Sequence, residues 1–227
     1  MKERDKLLTS VFADVGGRFG YGDVEAVFTA FRDFKVKWSR SYRWARFDVS
    51  DYLSDAPEEV LRSIAETLFG RIRGDEDVGY GEEVCNWVSS PEFVAEKQPV
   101  YVNRCRGVSR TTKGSCRDLR DSYDRLVAMG LVERDPLTYM GWGVPTQGRY
   151  VGRSSTLMRV VVMSTILDTE EVPEVLLDFC LYSQLINLIM GFNPYPDGRG
   201  EEYDEMLSRF PDRAGMEDLM VKLSIKM

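Results

Sequence analysis

The sequence of 227 residues contains no histidine. Imidazole is the usual ligand of catalytic zinc and the usual base beside a serine or cysteine nucleophile. Its absence excludes histidine-ligated zinc hydrolysis, Ser-His-Asp catalysis and Cys-His catalysis together. Cysteine is scarce: Cys85, Cys105, Cys116 and Cys180 lie too far apart for a C-x-x-C knuckle and read as structural thiols of a reducing compartment. No G-x-x-x-x-G-K-[ST] loop is present, which removes P-loop phosphoryl transfer. Long apolar runs are missing as well. The best of them, Val175 to Phe192, is broken by Asp178, Ser183, Gln184 and Asn187 and is short for a bilayer crossing, so it predicts a buried helix and no membrane partner. The opening Met1-Lys2-Glu3-Arg4-Asp5 mixes both charges and leads into no signal-peptide stretch, so the expected location is cytoplasmic.

What is present suits a globular protein: 43% hydrophobic residues, 11% aromatic, and 30 Lys+Arg against 37 Asp+Glu for a net charge of -7. A field of that sign disfavours unspecific attraction to phosphate backbones or anionic membranes. Two segments at helical spacing open the chain, Glu3 to Val15 with Leu7, Leu8, Val11 and Phe12, and Gly22 to Phe34 with Val24, Val27, Phe28 and Phe31. From Phe34 to Val49, apolar Val36, Trp38, Trp44 and Phe47 interleave with Lys35, Lys37, Arg40, Arg43 and Arg46, which predicts a strand pair with one wet face. Asp55-Ala56-Pro57-Glu58-Glu59 starts a helix to about Ile72, because proline suits the first turn and acids suit the positive end of the macrodipole. Seven glycines and prolines between Gly74 and Gly114 predict an irregular connection there, pinned by Trp87, Phe93, Val100 and Tyr101. A helix over Arg117 to Met129 then leaves through Gly130-Leu131-Val132-Glu133 into a strand. Strands are expected within Trp142 to Ser164, a helix over Val175 to Met190, a loop at Pro194, Pro196 and Gly198, and short helices at Glu201 to Arg209 and Ala214 to Leu223. The fold class is α+β in one body, with an N-terminal half (1–73), a connection with a helix-strand insert (74–150) and a C-terminal half (151–227).

The two halves echo each other. Arg40-Ser41 falls on Arg153-Ser154, Arg46 on Arg159, Val49 on Val162, Leu53 on Ile166 and Asp55 on Asp168; after a short insertion Pro57-Glu58 meets Pro173-Glu174. Shared spacing across strand, turn and helix start predicts an internal duplication, two pseudo-repeated units each setting a strand pair against a helix.

The run Val172-Pro173-Glu174-Val175-Leu176-Leu177-Asp178-Phe179-Cys180-Leu181-Tyr182-Ser183-Gln184-Leu185-Ile186-Asn187 resembles the active-site helix of SprT-like, zincin-type metallopeptidases, the archaeal ones especially. The following Gly191-Phe192-Asn193-Pro194 and the stretch from Arg199 to Phe210-Pro211 resemble that family's G-x-x-P loop and ligand helix, and Val36 to Arg40 and Arg159 to Asp168 look like its strands. The resemblance implies zincin-like strand-pair-plus-helix units. The family's chemistry takes two imidazoles at i and i+4 with a carboxylate beside the first. Here those positions carry Ser183, Asn187 and Gln184, and the third ligand position falls near Arg199. Serine and asparagine are poor zinc ligands, glutamine is no general base, and a guanidinium repels a cation. The expectation is a catalytically inactive relative, a pseudoenzyme with no metal and no cofactor, in which Ser183, Gln184, Asn187 and Arg199 form a polar remnant that is either satisfied internally or binds a peptide or small ligand. An open cleft beside Ser183 would favour a ligand; a filled one leaves structure or contact with a protein partner.

Two other readings compete. Asp48, Asp51, Asp55, Glu58 and Glu59, or Glu201, Glu202, Asp204 and Glu205, supply oxygen ligands for Mg²⁺ or Mn²⁺. Arg104, Arg106, Arg110, Lys113, Arg117 and Arg120, beside a stretch from Leu119 to Val132 that resembles a winged-helix fragment, supply a basic face for nucleic acid, diluted by Asp118, Asp121 and Asp124.

Overall fold

The computed structural model describes residues 3–75, 77–145, 148–195 and 198–227; Pro196, expected in a loop, lies outside them. Among the described residues the protein is α+β, with eight α-helices and two three-stranded mixed sheets. The chain divides into two compact units, Met1–Phe93 with Asn193–Gly198, and Val94–Phe192 with Arg199–Met227.

In the first unit, α1 (Glu3–Arg18) leads to β1 (Asp23–Thr29), β2 (Val36–Arg40) and β3 (Trp44–Ser50), then a 3₁₀ turn (Asp51–Leu53), α2 (Glu58–Arg73) and α3 (Glu82–Val88). The strand order is β1-β3-β2; β1 runs parallel to β3 from Asp23 opposite Trp44, and β2 runs antiparallel to it. Ala45, Phe47 and Val49 point to the buried face, where the Phe47 ring meets Phe12 of α1 at 5.0 Å and Phe69 of α2 at 5.2 Å. The opposite face is wet, as the alternation predicts: Arg46 bridges Asp23 (2.8 Å) and Glu25 (3.0 Å) across β1. Gly16 lets α1 approach closely, since a Cβ there would lie 2.8 Å from both Phe69 and Val24.

The helix expected over Gly22 to Phe34 is instead the strand β1. Val24, Val27, Phe28 and Phe31 fit a helical stripe, but Val24 and Ala26 alternate as buried positions once β3 pairs alongside, and tertiary pairing overrides the local period. The irregular connection expected from Gly74 to Gly114 is also corrected, because it holds α3 and α4 (Pro91–Arg104). Pro91 opens α4, where its missing N–H costs nothing, while Pro99 is carried inside the helix. The division between the units falls within α4, between Phe93 and Val94. Phe93 packs on Trp87 (4.9 Å) and Phe34 (6.1 Å); Tyr101, Val102 and Cys105 are buried in the second unit.

That unit continues with α5 (Leu119–Ala128), β4 (Tyr139–Gly143), β5 (Gly152–Ser155), β6 (Val160–Ser164), a 3₁₀ turn (Thr165–Leu167) and α6 (Glu174–Met190), and ends with α7 (Gly200–Leu207) and α8 (Arg213–Lys222). Leu131 to Glu133, expected in a strand, has none; the strand begins at Tyr139. The order β4-β6-β5, with β4 parallel to β6 from Tyr139 opposite Val160 and β5 antiparallel, matches the first unit in order and sense. Every residue of β6 is buried. The segment near Ser109 pairs with the edge strand β4: Ser109 N–H donates to Trp142 O (2.7 Å), Trp142 N–H to Ser109 Oγ (2.9 Å) and the Trp142 indole to Thr112 O (2.8 Å). Gln98 of α4 reaches Leu137 O (2.7 Å) and Met158 O (2.8 Å).

Candidate functional site

The site expected from the sequence lies on α6. Pro173 provides the N-cap, and its carbonyl accepts from Leu176 and Leu177 N–H. The helix is apolar on nearly all sides, which is why it is buried almost all round: Leu176, Leu177, Phe179, Cys180, Leu181, Tyr182, Leu185 and Ile186 belong to the core of this unit. Two acid-base pairs fasten its first half. Arg125 of α5 holds the buried Asp178 with two 2.8 Å bonds, and Arg117 donates to Val172 O at 3.0 Å and meets Glu174 at 3.4 Å. Arg117 is aimed there by Asp168, whose carboxylate accepts backbone N–H groups from Ser115 (2.5 Å), Cys116 (2.9 Å) and Arg117 (2.9 Å). Burial alone would raise the Asp168 carboxyl, but these donors outweigh it and hold the group below the ordinary carboxylate range.

One turn of α6 carries the polar remnant. Ser183 has 0% exposure and its hydroxyl donates to Cys180 O at 2.7 Å. Gln184, also buried, donates to Ser183 Oγ at 3.4 Å. The Asn187 side chain donates to Ser154 Oγ of β5 at 3.1 Å, and the backbone carbonyl of Asn187 accepts from the Thr156 hydroxyl at 3.2 Å. These three expected residues therefore come together, and their bonds go to one another, to the helix and to the edge strand. Arg199 does not join them. It pairs with Glu202 (2.5 Å) and donates to Met190 O, where a cation also complements the negative end of the α6 macrodipole.

The sequence reading missed Tyr203, one turn beyond Arg199 on α7, whose hydroxyl donates to Ser183 O at 3.2 Å. Burial pushes the phenols of Tyr203 and Tyr182 up, so both stay neutral donors; Tyr182 donates to Met206 O at 2.8 Å. Neither Gln184 nor Asn187 can serve as a general base, because an amide does not titrate near neutrality. Burial pushes the Cys180 thiol up, away from reactivity.

The other candidate residues are dispersed. Among the described residues no group of three or more His, Cys, Asp or Glu side chains is placed to hold a metal ion. Four of the nine carboxylates proposed for a hard cation pair with arginines: Glu58 with Arg62 (3.0 Å), Glu202 with Arg199, Asp204 with Arg213 (3.1 Å) and Glu205 with Arg209 (3.3 Å). Of the basic segment, Arg106, Arg110, Lys113 and Arg120 are exposed and Arg104 ends α4 half-buried, whereas Arg117 is withdrawn to Glu174 and Val172. No helix among the described residues is long and apolar enough to cross a membrane. Comparison with protein-family models, with curated proteins and with solved structures finds nothing that matches this chain.

Proposed function

We propose that this protein is a catalytically inactive, metallopeptidase-like protein that acts by binding a protein or peptide partner through its surface, with α6 descended from an active-site helix and now purely structural. The carrying observation is Ser183: it has no exposed surface and its hydroxyl is used inside the helix, so the position aligned with a metal ligand faces packed protein. A filled turn leaves no cleft for the remnant to serve, which moves the working surface elsewhere.

The proposal includes an ancient duplication of one helix-strand-strand-strand-helix unit. Its support is the common strand order and sense, the equal chain separation within the two parallel pairs, and the 3₁₀ turns ending at buried Leu53 and Leu167. Pro57 and Pro173 then cap the two long helices, whose buried positions run in step: Val60, Leu61, Ile64, Ala65 and Thr67 against Leu176, Leu177, Cys180, Leu181 and Ser183. Ser50 and Ser164 end the central strands, so the strand correspondence is one residue away from the pairing of Val49 with Val162 read from sequence. Arg46 and Arg159 are accordingly not equivalents: one lies in β3, the other precedes β6 in a left-handed conformation with φ 49°.

Elemental analysis of the purified protein tests the central claim, with an expected zinc content far below one per chain and no cleavage of unfolded casein. A zinc stoichiometry near one, lost on substitution of Ser183 or Asn187, overturns it.

A further inference from the structure

In the first unit, the C-terminal end of α1, the β2–β3 turn and the C-terminal end of α2 enclose a concavity of about 470 Å³, within the range of small-molecule sites, lined by Phe19, Tyr21, Arg40, Tyr42, Ile72 and Arg73. Three aromatic rings and two guanidinium groups line it, and among the described residues no carboxylate does. In a chain with 37 acids against 30 bases this is a departure, and two further concavities among the described residues are lined differently. The one on the sheet sets Arg46 and Lys37 beside Glu25 and Asp48, and the other sets Arg134, Arg159 and Arg209 beside Glu133 and Asp135, so both carry carboxylates that compete for an anion's place.

The floor is preorganised. Phe69 is wholly buried, Phe19 stacks on it at 5.6 Å and Tyr21 leans on it at 5.4 Å. The Arg73 guanidinium lies over the Phe19 ring at 5.4 Å, a cation–π contact that positions the group at the concavity. Arg40 has no ion pair among the described residues. Tyr42 is 99% exposed at the turn, where an aromatic ring has nothing of its own protein to pack on.

We propose that this concavity binds a nucleotide, with the base against the Tyr21 and Tyr42 rings and the phosphate paired by Arg40 and Arg73. Aromatic faces accept any base, and the guanidinium fork matches phosphate oxygens in pairs. A free nucleoside phosphate and a nucleotide within a single strand present the same chemistry. The site is remote in the chain from the α6 turn, and the inference does not depend on the metallopeptidase-like reading.

Calorimetric titration of the full chain with ADP, adenosine and pyrophosphate, beside fluorescence anisotropy with a labelled oligothymidylate, tests it. ADP or the oligonucleotide should bind, with adenosine and pyrophosphate each weaker by about tenfold or more, since each keeps only one half of the recognition. Arg40→Ala with Arg73→Ala should weaken binding about tenfold or more, and Tyr42→Ala, at a position too exposed to disturb folding, about fivefold or more. Binding of ADP alone identifies a free nucleotide; tighter, salt-sensitive binding of the oligonucleotide identifies a strand. Absence of binding by both, pyrophosphate binding as tightly as ADP, or variants that bind unchanged while keeping the parent Tm, would overturn the proposal.

Discussion

The two sheets share strand order and sense, yet β3 alternates between buried and exposed positions while β6 is buried along its whole length. Their charges differ accordingly. In the first unit Arg46 meets Asp23 and Glu25 in water, where side-chain entropy and screening cancel most of the attraction. In the second, Arg125 meets an Asp178 whose side chain is 4% exposed, and Arg159 meets Asp135 with both partners about a quarter exposed. The topology is shared, but the Arg125 pair of the second unit includes a buried charge, Asp178, and it is the buried member that makes its partner costly to remove.

Substitutions sharpen that contrast in order of size. Arg125→Ala should destabilise the protein by about 3 kcal/mol in urea unfolding, because it strands a buried carboxylate; the lower end of the usual range applies since Arg125 is itself partly solvated. Asp168→Asn should cost about 2 kcal/mol near neutral pH, since three backbone donors lose a charged acceptor. The sign with pH follows from its lowered pKa: the contribution is complete above the ordinary carboxylate value near 4 and is lost as pH falls through the folded value. Parent and variant Tm should therefore converge in acid, and a constant gap down to the acid limit would contradict the account. Asn187→Ala should cost about 1 kcal/mol through loss of the side-chain bond to Ser154, with no change in metal content. Arg46→Ala should leave Tm unchanged; a clear drop would show that the wet sheet face of the first unit is more strongly coupled than its exposure implies.

Local chemistry made parts of the fold legible. The dipeptides Pro57-Glu58 and Pro173-Glu174 announce α2 and α6 because they act within one turn. The same kind of reasoning failed at β1, where spacing of three and four residues coexists with alternation, and at α4, where Pro99 sits inside a helix held by tertiary burial. In the candidate site, Ser183, Gln184 and Asn187 were found because one helical turn brings them together. Arg199 was misplaced and Tyr203 missed, because a separate helix sets which side chain reaches that turn.

By itself the sequence determined what chemistry is missing, since a chain without imidazole lacks the usual zinc ligand and acyl-transfer base wherever it folds. It also determined where the long helices start, through contacts a few residues apart. Only the tertiary structure decided that the α6 turn is filled, that β1 is a strand, and that Phe19, Arg40, Tyr42 and Arg73 share one concavity. Those outcomes depend on groups far apart in the chain, and periodicity carries no information about which distant surface will arrive.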